Sequence, residues 1–144
     1  MDALSWTIET ETNAADVEFL EHRINEYNFA TTGITDGQTL ALFERDAEGQ
    51  ILAGLYGWTW GGTCEVRFLW VAGDSRGKGR GRSLLAAAEA EAARRGCRQI
   101  VLSTHSFQAP EFYHKLGYTI VGQYHDYPAG HTSHFLRKRL GGVR

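Results

Sequence analysis

The chain has 144 residues, of which 42% are hydrophobic and 12% aromatic, and a formal net charge of −2. That length suits one domain with a sizeable core, and the composition excludes a disordered chain. The slight negative charge argues against a general nucleic-acid binder, and no apolar run is long enough to cross a membrane. The start Met1-Asp2-Ala3 is acidic and unlike a secretory signal, and Cys64 and Cys97 stand far apart with no C-x-x-C pattern. Together they suggest a cytoplasmic protein with reduced, structural thiols.

In chain order, Leu4 to Thr10 alternates apolar and polar residues, as a strand would. Asn13 is a helix N-cap, with Asp16 as a capping-box-like partner. Val17, Leu20, Ile24 and Tyr27 share one stripe of the helix that follows, which should fade near Asn28, and Gly33 breaks any turn beyond. Thr39 to Arg45, Ile51 to Trp60 and Thr63 to Val71 read as three further strands of an antiparallel meander, the last two joined by the hairpin turn Gly61-Gly62. A helix is expected from about Gly79 or Gly81 to Arg95, with Leu84, Leu85, Ala88 and Ala92 buried, Glu91 spaced to pair with Arg95, and Gly96 closing it. Gln99 to Thr104 is a short β-branched strand, and the strand–helix–strand order implies a parallel pair with a right-handed crossover. Pro110 opens a short helix over Glu111 to Leu116, ended by Gly117. Tyr118 to Tyr124 and His131 to Leu140 are the last strands, around a loop from Asp126 to Gly130. The class is α/β in the broad sense (α+β), with no internal repeat or linker.

The loop between the fourth strand and the long helix is the most informative stretch. Gly77, Gly79 and Gly81 alternate with Lys78, Arg80 and Arg82 where the helix should start. A helix N-terminus offers free N–H groups and partial positive charge, and glycines let the backbone approach a ligand closely. The reading is a cradle for a phosphate-bearing ligand. The P-loop pattern fails, because Gly73 and Gly77 have only three residues between them and Lys78 is followed by glycine. The dinucleotide fingerprint fails because Arg82 stands where its third glycine belongs.

Arg76-x-x-Gly79-x-Gly81 resembles the pyrophosphate-binding motif of the GNAT acyltransferase superfamily, and Ala109-x-x-Phe112-Tyr113-x-Lys115-Leu116-Gly117-Tyr118 resembles the signature that follows the family's fifth strand. The resemblance is strong from about Leu69 to Gly122 and topological before that. It implies a GNAT fold over residues 1–144, a mixed, mostly antiparallel sheet of about seven strands with about four helices. It also implies that the fourth and fifth strands are parallel and splayed, with acetyl-CoA in the wedge as cosubstrate and no metal. Leu69, Trp70 and Val71 would run beside the pantetheine arm. Arg76, Gly77, Lys78, Gly79, Arg80, Gly81, Arg82 and the Ser83 hydroxyl would hold the phosphates. The family often has Asn where this chain has Ser106, which can still hydrogen-bond the pantetheine arm, and Gln108 is a substitute.

The resemblance implies transfer of an acetyl group to a primary amine of a small molecule or peptide, with no nucleic acid or membrane partner. The same fold also serves as a non-catalytic acyl-CoA-binding module, and it leaves room for a homodimer. A lysine-like amine with pKa about 10.4 is neutral in only about one part in a few thousand at pH 7, a gap of roughly 4–5 kcal/mol for a base or desolvation to cover. Tyr113 is the expected partner of the departing thiolate. Full proton transfer from a phenol of pKa about 10 to a thiolate of about 8.5 is uphill by roughly 2 kcal/mol, so a hydrogen bond is the more conservative role. Glu65 is the expected base, and strand alternation would place it on one face with Arg67 and Leu69. His125, His131 and His134 are other bases to weigh; with Asp126 they form no known metal-ligand spacing. The acceptor channel is expected between Tyr27, Asn28 and Phe29 on one side and Tyr127 and His131 on the other.

Overall fold

The structure, a computed structural model, describes residues 5–141. The chain divides into two units, one ending at Thr35 and one beginning at Asp36. The first is a single helix, α1 (Ala14–Thr32), with its lead-in. The Asn13 side chain accepts a hydrogen bond from the Ala15 N–H at 2.8 Å, as an N-cap should. The helix runs past Asn28 because no breaker occurs before Gly33, whose φ of 73° and N–H to the Phe29 carbonyl end it. The strand expected over Leu4 to Thr10 is not there: residues 5–10 are irregular, and Leu4 lies outside the described residues. Alternation of Trp6 and Ile8 supplies a pattern, but a strand also needs an edge to hydrogen-bond.

The second unit holds β1 (Gln38–Arg45), β2 (Ile51–Trp60), β3 (Thr63–Val71), a 3-10 turn at Gly73–Ser75, α2 (Arg80–Arg94), β4 (Gln99–His105), α3 (Pro110–Lys115), β5 (Thr119–His125) and β6 (Thr132–Arg139). Its strands form one sheet in the order β1-β2-β3-β4-β6-β5. Only β3 and β4 run parallel; the other neighbours are antiparallel. The described residues thus carry six strands and three α-helices, fewer than the sequence pattern suggested but of the same mixed class.

The core lies between one sheet face and α2. Leu85, Ala88 and Ala92 of α2 are fully buried against Leu40, Leu55, Cys64, Val66, Ile100 and Leu136. A side chain such as Leu85 contributes about 1.5–3 kcal/mol by that burial. Leu84, expected in the same stripe, is only half-buried. Arg95 ties the end of α2 to the sheet, bonding Glu91 at 2.8 Å, the Thr39 carbonyl at 3.1 Å and the Thr59 hydroxyl at 3.0 Å. Tyr118 and Lys138 both donate to Glu89, at 2.7 and 3.0 Å, which joins β6 to α2.

One irregularity positions everything that follows. Tyr56 faces Phe68 across β2 and β3, but Gly57 faces Val66, so Arg67 is an extra residue in β3. A side-chain carbon on Gly57 would lie 2.0 Å from the Glu65 carbonyl oxygen, so the bulge requires glycine there. The extra residue also resets the pleat. Cys64 and Val66 face the core before the bulge, and Leu69 continues that face after it. Glu65 and Leu69 therefore lie on opposite faces, contrary to simple alternation.

Candidate active site

β3 and β4 pair at only three positions, Thr63 with Gln99, Cys64 with Ile100 and Glu65 with Val101. Beyond Glu65 they separate. A cleft of about 680 Å³ opens there, walled by Leu69, Trp70 and Val71 on one side and by Phe107, Gln108, Ala109, Phe112 and Tyr113 on the other. The loop at 76–82 closes its outer end, with Arg76, Gly77, Gly79, Arg80, Gly81 and Arg82 in the lining. The edge of β3 that faces the cleft has no strand partner over 68–71 among the described residues, so it can serve an extended ligand as a strand would.

The loop presents backbone rather than charge. Gly77 and Gly79 have φ of 79° and 77°, which a side chain would strain. Gly79 is the N-cap of α2 and offers no side-chain hydrogen bond, and Ser83 is the first helical N–H with a backbone acceptor, the Gly79 carbonyl at 2.9 Å. The N–H groups of Arg80, Gly81 and Arg82 are left for an anion at the positive end of the helix dipole. Gly81 packs closely on α3: a side-chain carbon there would meet Phe112 Cζ at 3.3 Å, and the ring would have to give by a few tenths of an ångström. Of the basic side chains, Arg76 braces the loop through Nε to the Val71 carbonyl at 3.0 Å. Arg80 is spent on Glu44 at 2.8 Å and the Ser75 carbonyl at 3.4 Å. Arg82 lines the cleft, while Lys78 and Ser83 line a neighbouring groove with Leu42, Glu44 and Ala87.

Tyr113 stands in the opposite wall on α3. Its ring meets Phe112 and Tyr118 edge to face, at 5.1 and 5.8 Å between centroids. It is buried, and burial pushes its phenol above the ordinary tyrosine range, so it stays protonated across the neutral pH range. Tyr113 is among the residues that line the cleft, and its hydroxyl makes no hydrogen bond to another described residue.

A model of the acetyltransferase (GNAT) domain matches residues 36–120, beginning where the second unit begins. The chain belongs to the GNAT acyltransferase family. Its relatives agree. Blasticidin-S acetyltransferase of Streptomyces morookaense is 39% identical over 107 residues, 72% of this chain and 76% of the relative. An acetyltransferase of Agrobacterium fabrum is 34% identical over 79% of this chain and 83% of its own. The crystal structure of an acetyltransferase from Bacillus cereus superposes with a TM-score of 0.76 at 36% identity, covering 94% of this chain and 98% of that one. The protein is thus an acyltransferase, and the cleft lies where this GNAT domain departs from a regular sheet.

The remaining expected residues sort by position in the GNAT domain. Gln108 lines the cleft, its Oε1 accepting from the His105 N–H at 2.7 Å. Ser106 does not; its N–H donates to the Thr132 carbonyl at 2.7 Å and its Oγ accepts from the Thr132 N–H at 3.0 Å, pinning the loop after β4 to β6. Glu65 is half-buried at the last paired position of β3 and β4, on the face away from α2, and is not among the residues that line the cleft. Tyr127 and His131 belong to an aromatic group in which His105 stacks on Phe107 at 5.3 Å, His131 meets Phe107 at 5.0 Å and Tyr127 meets His105 at 5.2 Å. Tyr27, Asn28 and Phe29 lie in the last turns of α1, in the first unit. His125 and His134 are held by Thr132 at 3.5 Å and Gln123 at 3.0 Å. Phe107 is a cleft residue that the motifs did not include, and Phe112, part of the signature from Ala109 to Tyr118, lines the cleft without having been given a role there. Both follow the end of a strand in a parallel pair, where crevices open in such sheets.

Proposed function

We propose that the protein is an acetyl-CoA-dependent N-acetyltransferase acting on the primary amine of a small molecule. The observation that carries this reading is the parting of β3 from β4 beyond Glu65, beside an uncapped, glycine-lined helix start. Acetyl-CoA has an extended amide-bearing arm and a pyrophosphate, and the cleft offers a free strand edge and free N–H groups in that order. Small-molecule acceptors fit the relative whose name gives blasticidin S as its substrate.

In the reaction, the amine nitrogen attacks the thioester carbonyl carbon, a C–N bond forms, and the C–S bond breaks. The products are an N-acetyl amide and CoA thiolate, which takes up a proton from solvent. The proton lost by the amine goes to Glu65, directly or through water, and the departing sulfur takes a hydrogen bond from Tyr113. Holding Tyr113 protonated by burial suits that donor role. Backbone groups of Leu69 and Val71 position the arm, with Arg82 and the N–H groups of 80–82 on the pyrophosphate. Arg80 serves the loop rather than the ligand, because Glu44 already compensates its charge.

Calorimetric titration with acetyl-CoA, with ATP and NAD as controls, tests the donor assignment. Micromolar binding of acetyl-CoA alone is expected; absence of binding overturns the reading. A thiol-release screen of primary amines then tests turnover, and Glu65→Gln should lower kcat while acetyl-CoA affinity stays unchanged.

A further inference from the structure

We propose that the sheet face opposite α2, where Tyr56, Trp58 and Phe68 stand beside Glu65, binds the acceptor, and that this acceptor is a primary amine carried on a flat ring. The proposal rests on the acetyltransferase reading above and adds the class of substrate. On β2 the residues Ala53, Leu55 and Thr59 are buried toward α2, so Tyr56 and Trp58 point the other way. Their register partners on β3 are Phe68 and Glu65, which share that face. The Tyr56 and Phe68 rings lie near-parallel with centroids 6.3 Å apart, and Trp58 meets Tyr56 edge-on at 6.2 Å. Phe68 is 63% exposed.

The rings on this face already take flat cations from the chain itself. The Arg67 guanidinium lies 5.4 Å over Phe68, and that of Arg45 lies 5.2 Å over Phe43. Glu65 has no hydrogen bond or ion pair among the described residues, and β3 leaves β4 at that residue. A carboxylate therefore stands where β3 leaves β4, with aromatic rings beside it on the same sheet face. An ammonium group is complementary to Glu65 in charge, and a flat ring attached to it reaches Tyr56, Trp58 and Phe68. Tyr56 is two residues along β2 from Trp58, the partner of Glu65, so the rings begin within a short linker's reach of the carboxylate.

The test compares 2-phenylethylamine with its saturated analogue 2-cyclohexylethylamine in the thiol-release assay at saturating acetyl-CoA. The expected result is a KM roughly three- to tenfold lower for the aromatic amine. In a Tyr56→Leu, Phe68→Leu double variant that preference should vanish, with the KM for acetyl-CoA unchanged. Equal use of the two amines by the wild-type enzyme overturns the proposal, as does turnover of neither. A ring preference that survives in the double variant also overturns it. So does a dimer, seen by sedimentation, whose loss is the sole effect of the substitutions; that would give the face to a second copy of the chain. Failure of the donor reading is distinguished beforehand, because it appears as absent acetyl-CoA binding in the calorimeter.

Discussion

The two halves of β3 differ in what their edges do. Thr63 to Glu65 is ladder: it pairs with β2 on one side and β4 on the other. Phe68 to Val71 keeps the β2 pairing but gives up β4, and its free edge becomes a wall of the cleft. Both halves are strand-forming and both keep their pairing with β2. The difference lies at Arg67, an inserted residue, and at Gly57, whose missing side chain leaves room for the Glu65 carbonyl. A sheet that must both close a core and open to a ligand needs such a fault at a defined place.

The largest effect is therefore expected from Gly57→Ala. Its new carbon would fall 2.0 Å from the Glu65 carbonyl oxygen, which is backbone and cannot swing aside. Destabilisation of about 3 kcal/mol is expected, read as a lower midpoint in urea, together with loss of activity as Glu65 shifts. Gly79→Val comes next. It forces a β-branched residue into a φ of 77° at the start of α2 and removes the free approach to the N–H groups, so acetyl-CoA affinity should fall by about a hundredfold in calorimetry while the fold persists. That variant spoils the open half of the comparison and leaves the ladder half intact.

Tyr113→Phe keeps the ring packing against Phe112 and Tyr118 and removes only the hydroxyl. A fall in kcat of about tenfold or more is expected with acetyl-CoA binding unchanged, as a single charge-assisted hydrogen bond would give. Unchanged kcat would deny the donor role.

The smallest effect lies away from the cleft. Hydrogen bonds from Arg94 and Arg95 hold the Glu91 carboxyl down to about 2 from its usual 4.5. A depressed carboxylate pKa stabilises the fold above pH 4.5, and that contribution is lost as pH falls toward 2. Wild type and Glu91→Gln should thus differ in thermal midpoint at pH 7, the difference narrowing as pH falls below 4.5 and closing only below about 2, with solvent exposure keeping it modest.

Much of this protein was readable from local chemistry. Asn13 and Gly33 are helix ends by their own conformational preferences, and β2 and β3 begin and end where the pattern and the Gly61-Gly62 turn say they should. The spacing Arg76-x-x-Gly79-x-Gly81 and the run from Ala109 to Tyr118 pointed to the two ends of one cleft, because glycine conformations and helix starts are properties of short segments. Pairing was decided elsewhere. Residues 5–10 alternate like a strand yet form none, since a ladder needs a neighbour that alternation cannot supply. Arg80 reads as a phosphate ligand until Glu44, 36 residues away, is seen to hold it. Nothing in the stretch Glu65 to Leu69 marks a bulge, because its cause is a glycine on another strand. The sequence by itself determined the elements, the family and the backbone cradle, all built from contacts within a few residues. Only the tertiary structure decided which face Glu65 shares, which arginines are spent and where the sheet opens, because each depends on a partner far along the chain.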